Sequence, residues 1–134
     1  MQILTIDDDM INNLIMRENI KQIDKNIYVI EKMSLIDGVL YLKSCKNKAD
    51  FPEFIFCDLN LPPYTAKDFI RIFNKYFYPL HAYTRIYIIS AAVDNKPERS
   101  MGEYPFLKGV LNKLEFDDRL REILSTEEVQ SENN

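Results

Sequence analysis

The sequence is poor in the residues that build several common kinds of site. It has one histidine, His81, so a multi-histidine metal site within the chain is excluded. Its two cysteines, Cys45 and Cys57, are too few for a disulfide framework and too far apart for a metal knuckle. They read as small buried hydrophobes in a reducing compartment. No apolar run approaches the roughly 18 residues of a membrane span. The start, Met-Gln-Ile-Leu, has no basic region ahead of an apolar one, so no signal peptide is expected and the expected location is cytoplasmic. There is no basic excess either. A net charge of −4 argues against a non-specific nucleic-acid binder, because neutralising phosphates needs a basic surface. Internal repeats and low-complexity tracts are also missing.

What is present fits one globular domain. The chain has 134 residues, 46% apolar and 28% charged, enough for one core and too few for two ordinary domains. Short apolar runs recur, and each ends in a polar residue. Ile3-Leu4-Thr5-Ile6 runs into Asp7, Asp8 and Asp9. Phe54-Ile55-Phe56-Cys57 ends in Asp58, Ile86-Tyr87-Ile88-Ile89 in Ser90, and Gly109-Val110-Leu111-Asn112 in Lys113. Together with Ile27-Tyr28-Val29-Ile30 these read as five buried strands.

Helical patterns separate them. Residues 10–23 place Met10, Leu14, Ile15, Ile20 and Ile23 near one face, with Asp9 as N-cap. Ser34 or Asp37 opens a short helix carrying Val39, Leu40 and Leu42. Leu61-Pro62-Pro63 blocks helix until Thr65, which has Asp68 three residues on in a capping-box pattern. That helix draws on Phe69, Ile70, Ile72, Phe73 and Tyr76. Residues 94–105 are polar, hold two prolines, and suit only a short or poor helix. A last helix is expected over 116–124, with Leu120, Ile123 and Leu124 inward, followed by an acidic, disordered tail over 126–134. Strands alternating with helices predict an α/β fold: a five-stranded doubly wound parallel sheet with helices on both faces.

In such a sheet ligands bind at the carboxyl ends of the strands. Those ends would gather Asp7, Asp8, Asp58, Ser90 and Lys113. Taken singly, each has an ordinary explanation: acids favour a helix N-terminus, an aspartate suits a strand-end turn, and a lysine is usually a solvated charge. The weight lies in four strand ends in order, each with the residue type that phosphoryl transfer to a carboxylate requires. Asp58 is the candidate nucleophile. Asp7 and Asp8 would supply oxygen ligands for Mg²⁺, without which clustered negative charges repel each other and an incoming phosphate. Lys113 would act as a point charge on a phosphoryl oxygen, and the Ser90 hydroxyl would bond that oxygen only in the modified state.

These residues resemble the receiver domain of two-component response regulators, the single-domain chemotaxis-regulator type in particular. The resemblance covers about residues 2–124 and rests on Ile-Asp-Asp-Asp (6–9), Phe-Cys-Asp-Leu-Asn-Leu-Pro (56–62), Ile-Ile-Ser-Ala (88–91) and Gly-Val-Leu-Asn-Lys (109–113). It implies a receiver domain over 1–125 that has the flavodoxin-like receiver fold. Asp58 would be the phospho-acceptor. Asp7, Asp8, Asp58 and the backbone carbonyl of Asn60 would be the Mg²⁺ ligands, Ser90 the switch hydroxyl and Lys113 the conserved-type lysine. A sensor histidine kinase or a histidine phosphotransfer protein would be the donor, and an unidentified downstream protein would take the signal. The expected protein is not an enzyme beyond catalysing its own phosphorylation and dephosphorylation. It has no nucleic-acid or membrane partner, and a weak homodimer is left open. With about ten residues after the last helix, no output domain is expected.

Three positions depart from the family's habit. Leu114 stands where a cis proline commonly follows the lysine, so a trans bond is expected, because a non-proline cis bond costs about 3 kcal/mol. Val110 stands where an aromatic switch residue is common. Thr65-Ala66 replaces Asp-Gly. Leu114 and Val110 favour a rival reading, a protein-interaction module of the same fold that phosphate does not switch; the complete acidic set opposes it. A second rival, a phosphatase with Asp58 as covalent nucleophile, is opposed by Asn60, which cannot serve as the acid/base two residues on. The aromatics Tyr76, Phe77, Tyr78, Tyr83, Tyr87, Tyr104 and Phe106 either form an interface or cover the loop before the fourth strand.

Overall fold

The computed structural model describes residues 1–91 and 103–133, with side chains through Ser125. Five strands form one sheet: β1 (Gln2–Ile6), β2 (Tyr28–Lys32), β3 (Phe54–Asp58), β4 (Arg85–Ser90) and β5 (Leu107–Asn112). All neighbours are parallel, in the order β2-β1-β3-β4-β5. Central β3 is buried at all five positions, as a strand covered on both faces must be. The expected doubly wound sheet is therefore the observed one, with β2 and β5 each shifted by one or two residues.

Four helices cover the sheet among the described residues: α1 (Met10–Ile23), α2 (Leu35–Ser44), α3 (Ala66–Tyr76) and α4 (Phe116–Asn133). Alternate strand residues feed two cores. Leu4, Ile6, Ile55, Cys57, Ile86 and Ile88 meet Leu35, Leu42, Phe69 and Phe73 of α2 and α3. Ile3, Phe54, Phe56 and Ile89 meet Met16, Ile20, Leu120 and Leu124 of α1 and α4 on the other face. A fully buried side chain of this size contributes about 1.5–3 kcal/mol, so both layers add to the stability of the sheet between them. No described helix is long and apolar enough to cross a membrane.

The helix caps are as the sequence predicts. The Asp9 carboxylate accepts the Ile11 N–H at 2.9 Å, the Ser34 hydroxyl accepts the Asp37 N–H at 3.0 Å, and Asp68 accepts the Thr65 N–H at 3.0 Å. Before α3, Asn60–Leu61 and Tyr64–Thr65 form a small antiparallel hairpin around the two prolines.

Three expectations need correction. In α1, Met10, Leu14 and Ile15 point outward, and the inward stripe is Asn13, Met16 and Ile20 with Ile23 beside it. That stripe has i, i+3, i+7 spacing, but it includes an asparagine whose Nδ2 donates to two backbone carbonyls, so counting apolar residues alone rotates the helix wrongly. In α2 the inward residues are Leu35, Gly38 and Leu42, and Leu40 is exposed. Gly38 sits where a Cβ would come within 2.6 Å of Ile6 Cδ1, so the helix approaches β1 closely there. At the end of α3, Tyr76 is exposed and Phe77 after it is buried. Finally, α4 does not stop at 124 but continues to Asn133. After Gly109 the sequence contains no glycine or proline to end a helix.

Of the aromatics, Phe77 and Phe106 are buried, Tyr78, Tyr87 and Tyr104 are half-buried, and Tyr76 and Tyr83 are exposed. Most of them therefore close the core around the loop before β4. The helix expected within 94–105 falls mainly on 92–102, outside the described residues.

Candidate functional site

Parallel pairing brings the polar strand ends together. Ile6 pairs with Cys57, so Asp7 and Asp58 leave adjacent strands side by side. Asp58 pairs with Ile89 and Ser90 with Asn112, which lines up the ends of β4 and β5 on the same edge. Carboxylate oxygens of Asp7, Asp8 and Asp58 lie within 4.8 Å of one another. Asp7 is 1% exposed and Asp58 is 7% exposed, whereas Asp8 opens to solvent. The cluster thus has a buried floor and an open side.

Lys113 closes it. Its Nζ donates to Asp58 Oδ2 at 3.3 Å and stands 3.7 Å from Asp7 Oδ2. The other oxygen of Asp58 accepts the Asn60 N–H at 3.2 Å, and that of Asp7 accepts the Asp9 N–H at 2.9 Å. Asp7 Oδ2 is buried with no hydrogen-bond partner, which leaves an oxygen directed into the cluster and available to a cation. Burial pushes the Asp7 carboxyl up to about 6. The Asp9 N–H opposes that rise, the neighbouring Asp58 adds to it, and Lys113 opposes it.

The backbone holds these side chains from behind. The Asp7 N–H donates to the Lys32 carbonyl at 3.1 Å and the Leu59 N–H to the Ile89 carbonyl at 2.8 Å. Asn13, fully buried, donates its Nδ2 to the carbonyls of Asp7 at 3.0 Å and Lys32 at 3.2 Å. One amide therefore ties α1 to the ends of both β1 and β2. The sequence reading missed Asn13; its signal is an asparagine in phase with Met16 and Ile20.

Every residue singled out for the site lies at this edge. Ser90 is buried at the end of β4. Asn60 begins the small hairpin directly after Asp58. The Lys113–Leu114 bond is trans, as expected, and the one cis bond among the described residues joins Pro62 and Pro63. Lys113 reaches both carboxylates without a proline after it. Val110 is half-buried in β5, paired with Ile88. Beside the cluster, a cavity of about 130 Å³ runs between α1 and the Lys113 turn, lined by Asp7, Ile15, Lys113 and Leu114 among others.

No protein-family model and no curated protein matches the sequence. Solved structures do match the fold. A response regulator receiver protein from Pseudomonas putida superposes with a TM-score of 0.74 at 19% identity, covering 93% of this chain and 95% of that one. The chemotaxis protein CheY4 of Vibrio cholerae gives 0.73 at 15% identity, covering 93% and 96%. The receiver domain of the histidine kinase CKI1 from Arabidopsis thaliana, solved in complex with Mg²⁺ and BeF₃⁻, gives 0.72 at 18% identity, covering 92% and 89%. At these identities the likeness is one of architecture, and this chain has the fold of response regulator receiver domains.

Proposed function

We propose that the protein is a phospho-accepting receiver that takes a phosphoryl group on Asp58. The observation that carries the reading is the convergence of three carboxylates within 4.8 Å, with an ammonium 3.3 Å from Asp58. In the proposed step an Asp58 carboxylate oxygen attacks phosphorus. The bond from phosphorus to the donor's imidazole nitrogen breaks, and its electron pair stays on that nitrogen. Most of the catalytic work is then positioning and charge neutralisation.

The donor set suits Mg²⁺: all oxygen, two buried carboxylates and one exposed, with an unpartnered Asp7 oxygen aimed inward. Asp7, Asp8, Asp58 and the Asn60 carbonyl would hold the ion, which when bound supplies charge neutralisation for the transferred phosphoryl. Lys113 would pair with a phosphoryl oxygen, and Ser90 would bond it once transferred. This hydroxyl contact would bias the surface seen by a downstream protein. Met10, Ile11, Leu14, Ile15 and Leu114 are exposed around the same edge. An apolar rim of this kind suits a protein donor, a sensor histidine kinase or a phosphotransfer protein, better than a small metabolite.

The test is intact mass after incubation with acetyl phosphate and Mg²⁺, wild type beside Asp58→Asn. One adduct of about 80 Da on wild type alone is expected. Absence of an adduct with both acetyl phosphate and a phosphorylated donor protein would overturn the reading. It would favour the rival interaction module, for which Val110 in place of an aromatic switch residue is the motivating observation.

A further inference from the structure

The position of Lys113 poses a packing problem. β5 leaves the core at Leu111, and the next buried anchor is Phe116, whose ring meets Phe56 edge-on at 5.3 Å. Between them Asn112 and Lys113 are half-buried, Glu115 is exposed and Leu114 is 84% exposed. Hydrophobic burial therefore does not hold this stretch. Yet a flexible lysine must be presented to two carboxylates, and its four-carbon stem loses rotamer freedom in doing so.

A polar cap supplies a restraint. Asn112 is extended, with φ −78° and ψ 136°, and its Oδ1 accepts the Leu114 N–H at 2.8 Å. Lys113–Glu115 then form a single 3₁₀ turn, closed by the Phe116 N–H on the Lys113 carbonyl at the start of α4. Asparagine is among the best residues for this cap because its side chain satisfies an N–H that the turn leaves without a partner. The cap fixes the backbone at the one residue whose side chain must reach Asp58 and Asp7. With Lys113–Leu114 trans, the direction of the turn is set by this cap and by the Phe116 anchor.

We propose that Asn112 is a positioning residue, whose side-chain cap on Leu114 aims the Lys113 ammonium at Asp58 and Asp7. The proposal rests on the phospho-acceptor reading for its rate measurement, and a second measurement is independent of it. Asn112→Ala removes the cap, Asn112→Ser keeps one, and Asn112→Gln keeps an amide too long to cap well. The rate of phosphoryl adduct formation from acetyl phosphate with Mg²⁺ is expected to fall about tenfold in the alanine and glutamine variants and to return to within about threefold in serine. In a Lys113→Ala background, Asn112→Ala is expected to have no further effect, because both act through the same ammonium. Independently, labelling of Lys113 by an amine-reactive ester, read by peptide mass, is expected to rise about threefold when the cap is lost and not in serine.

If wild type takes no phosphoryl group, the receiver reading fails and the labelling still decides the role of Asn112. Unchanged labelling and unchanged rate in both uncapped variants would overturn the proposal. So would a serine variant as impaired as alanine, or a full loss persisting in the Lys113→Ala background. If the alanine variant does not fold, the glutamine variant carries the same comparison.

Discussion

Lys113 is shared between two carboxylates: its Nζ lies 3.3 Å from Asp58 Oδ2 and 3.7 Å from Asp7 Oδ2. The ammonium thus occupies part of the charge environment that a divalent cation would meet. Two effects of removing it then have opposite signs. Lys113→Ala should bind Mg²⁺ about threefold to tenfold more tightly, since a like charge leaves the neighbourhood of the cation. The same variant should accept a phosphoryl group about a hundredfold more slowly, because a donor to the transferring oxygens is gone. Metal titration and adduct kinetics on one preparation test both. A variant weaker in metal binding and unchanged in rate contradicts the assignment.

Asp58→Asn preserves volume and removes the nucleophile. No adduct is expected on this variant under conditions where wild type is modified. Because the Asp58 charge contributes to raising the Asp7 carboxyl, its removal should also stabilise the metal-free fold, by about 0.5–1 kcal/mol in urea unfolding. Adduct formation at the wild-type rate would place the acceptor elsewhere.

The Asp7 carboxyl stands at 3.8 in its ordinary state and at about 6 in the fold. Between those values the folded protein keeps a proton that the unfolded chain has released. The contribution of this group to stability is therefore present at low pH and is lost as pH rises from about 4 to about 6. At about 1.4 kcal/mol per pH unit the effect is on the order of 2–3 kcal/mol at most. Metal-free wild type should lose stability relative to Asp7→Asn across that window. Mg²⁺ affinity should weaken below about pH 6, where binding must displace the proton. Parallel pH profiles for the two proteins would exclude Asp7 as the titrating group.

Asn13→Ala should destabilise the fold by about 2–3 kcal/mol, because the carbonyls of Asp7 and Lys32 each lose a buried donor. The end of β1 should loosen with it, so metal affinity should fall together with stability. Asn13→Leu, which fills the space but cannot donate, should fare no better. A stable alanine variant with wild-type metal affinity would show that the amide is dispensable.

The architecture was largely legible in the sequence. Apolar runs ending at Asp7, Asp58, Ser90 and Lys113 identify strands, and turn and cap residues such as Asp9, Ser34 and Thr65 mark where helices begin. Parallel connectivity then dictates that the strand ends share one edge. These are local signals, carried by residues within a few positions of one another, and they place the candidate site residues at the edge where the structure finds them.

What only the tertiary structure decided is rotation and reach. Periodicity shows that residues 10–23 form a helix. It does not say whether Leu14 and Ile15 or Asn13 and Met16 face the sheet, because that choice depends on carbonyls contributed by β1 and β2. Nor does the sequence show that Lys113 reaches Asp58 without a proline after it. That reach depends on a side-chain cap at Asn112 and on Phe116 docking against Phe56, a contact between residues 60 positions apart. Local sequence determines which elements form. Contacts between elements distant in the chain determine which faces meet, because the energy that decides between two similar faces comes from the partner surface.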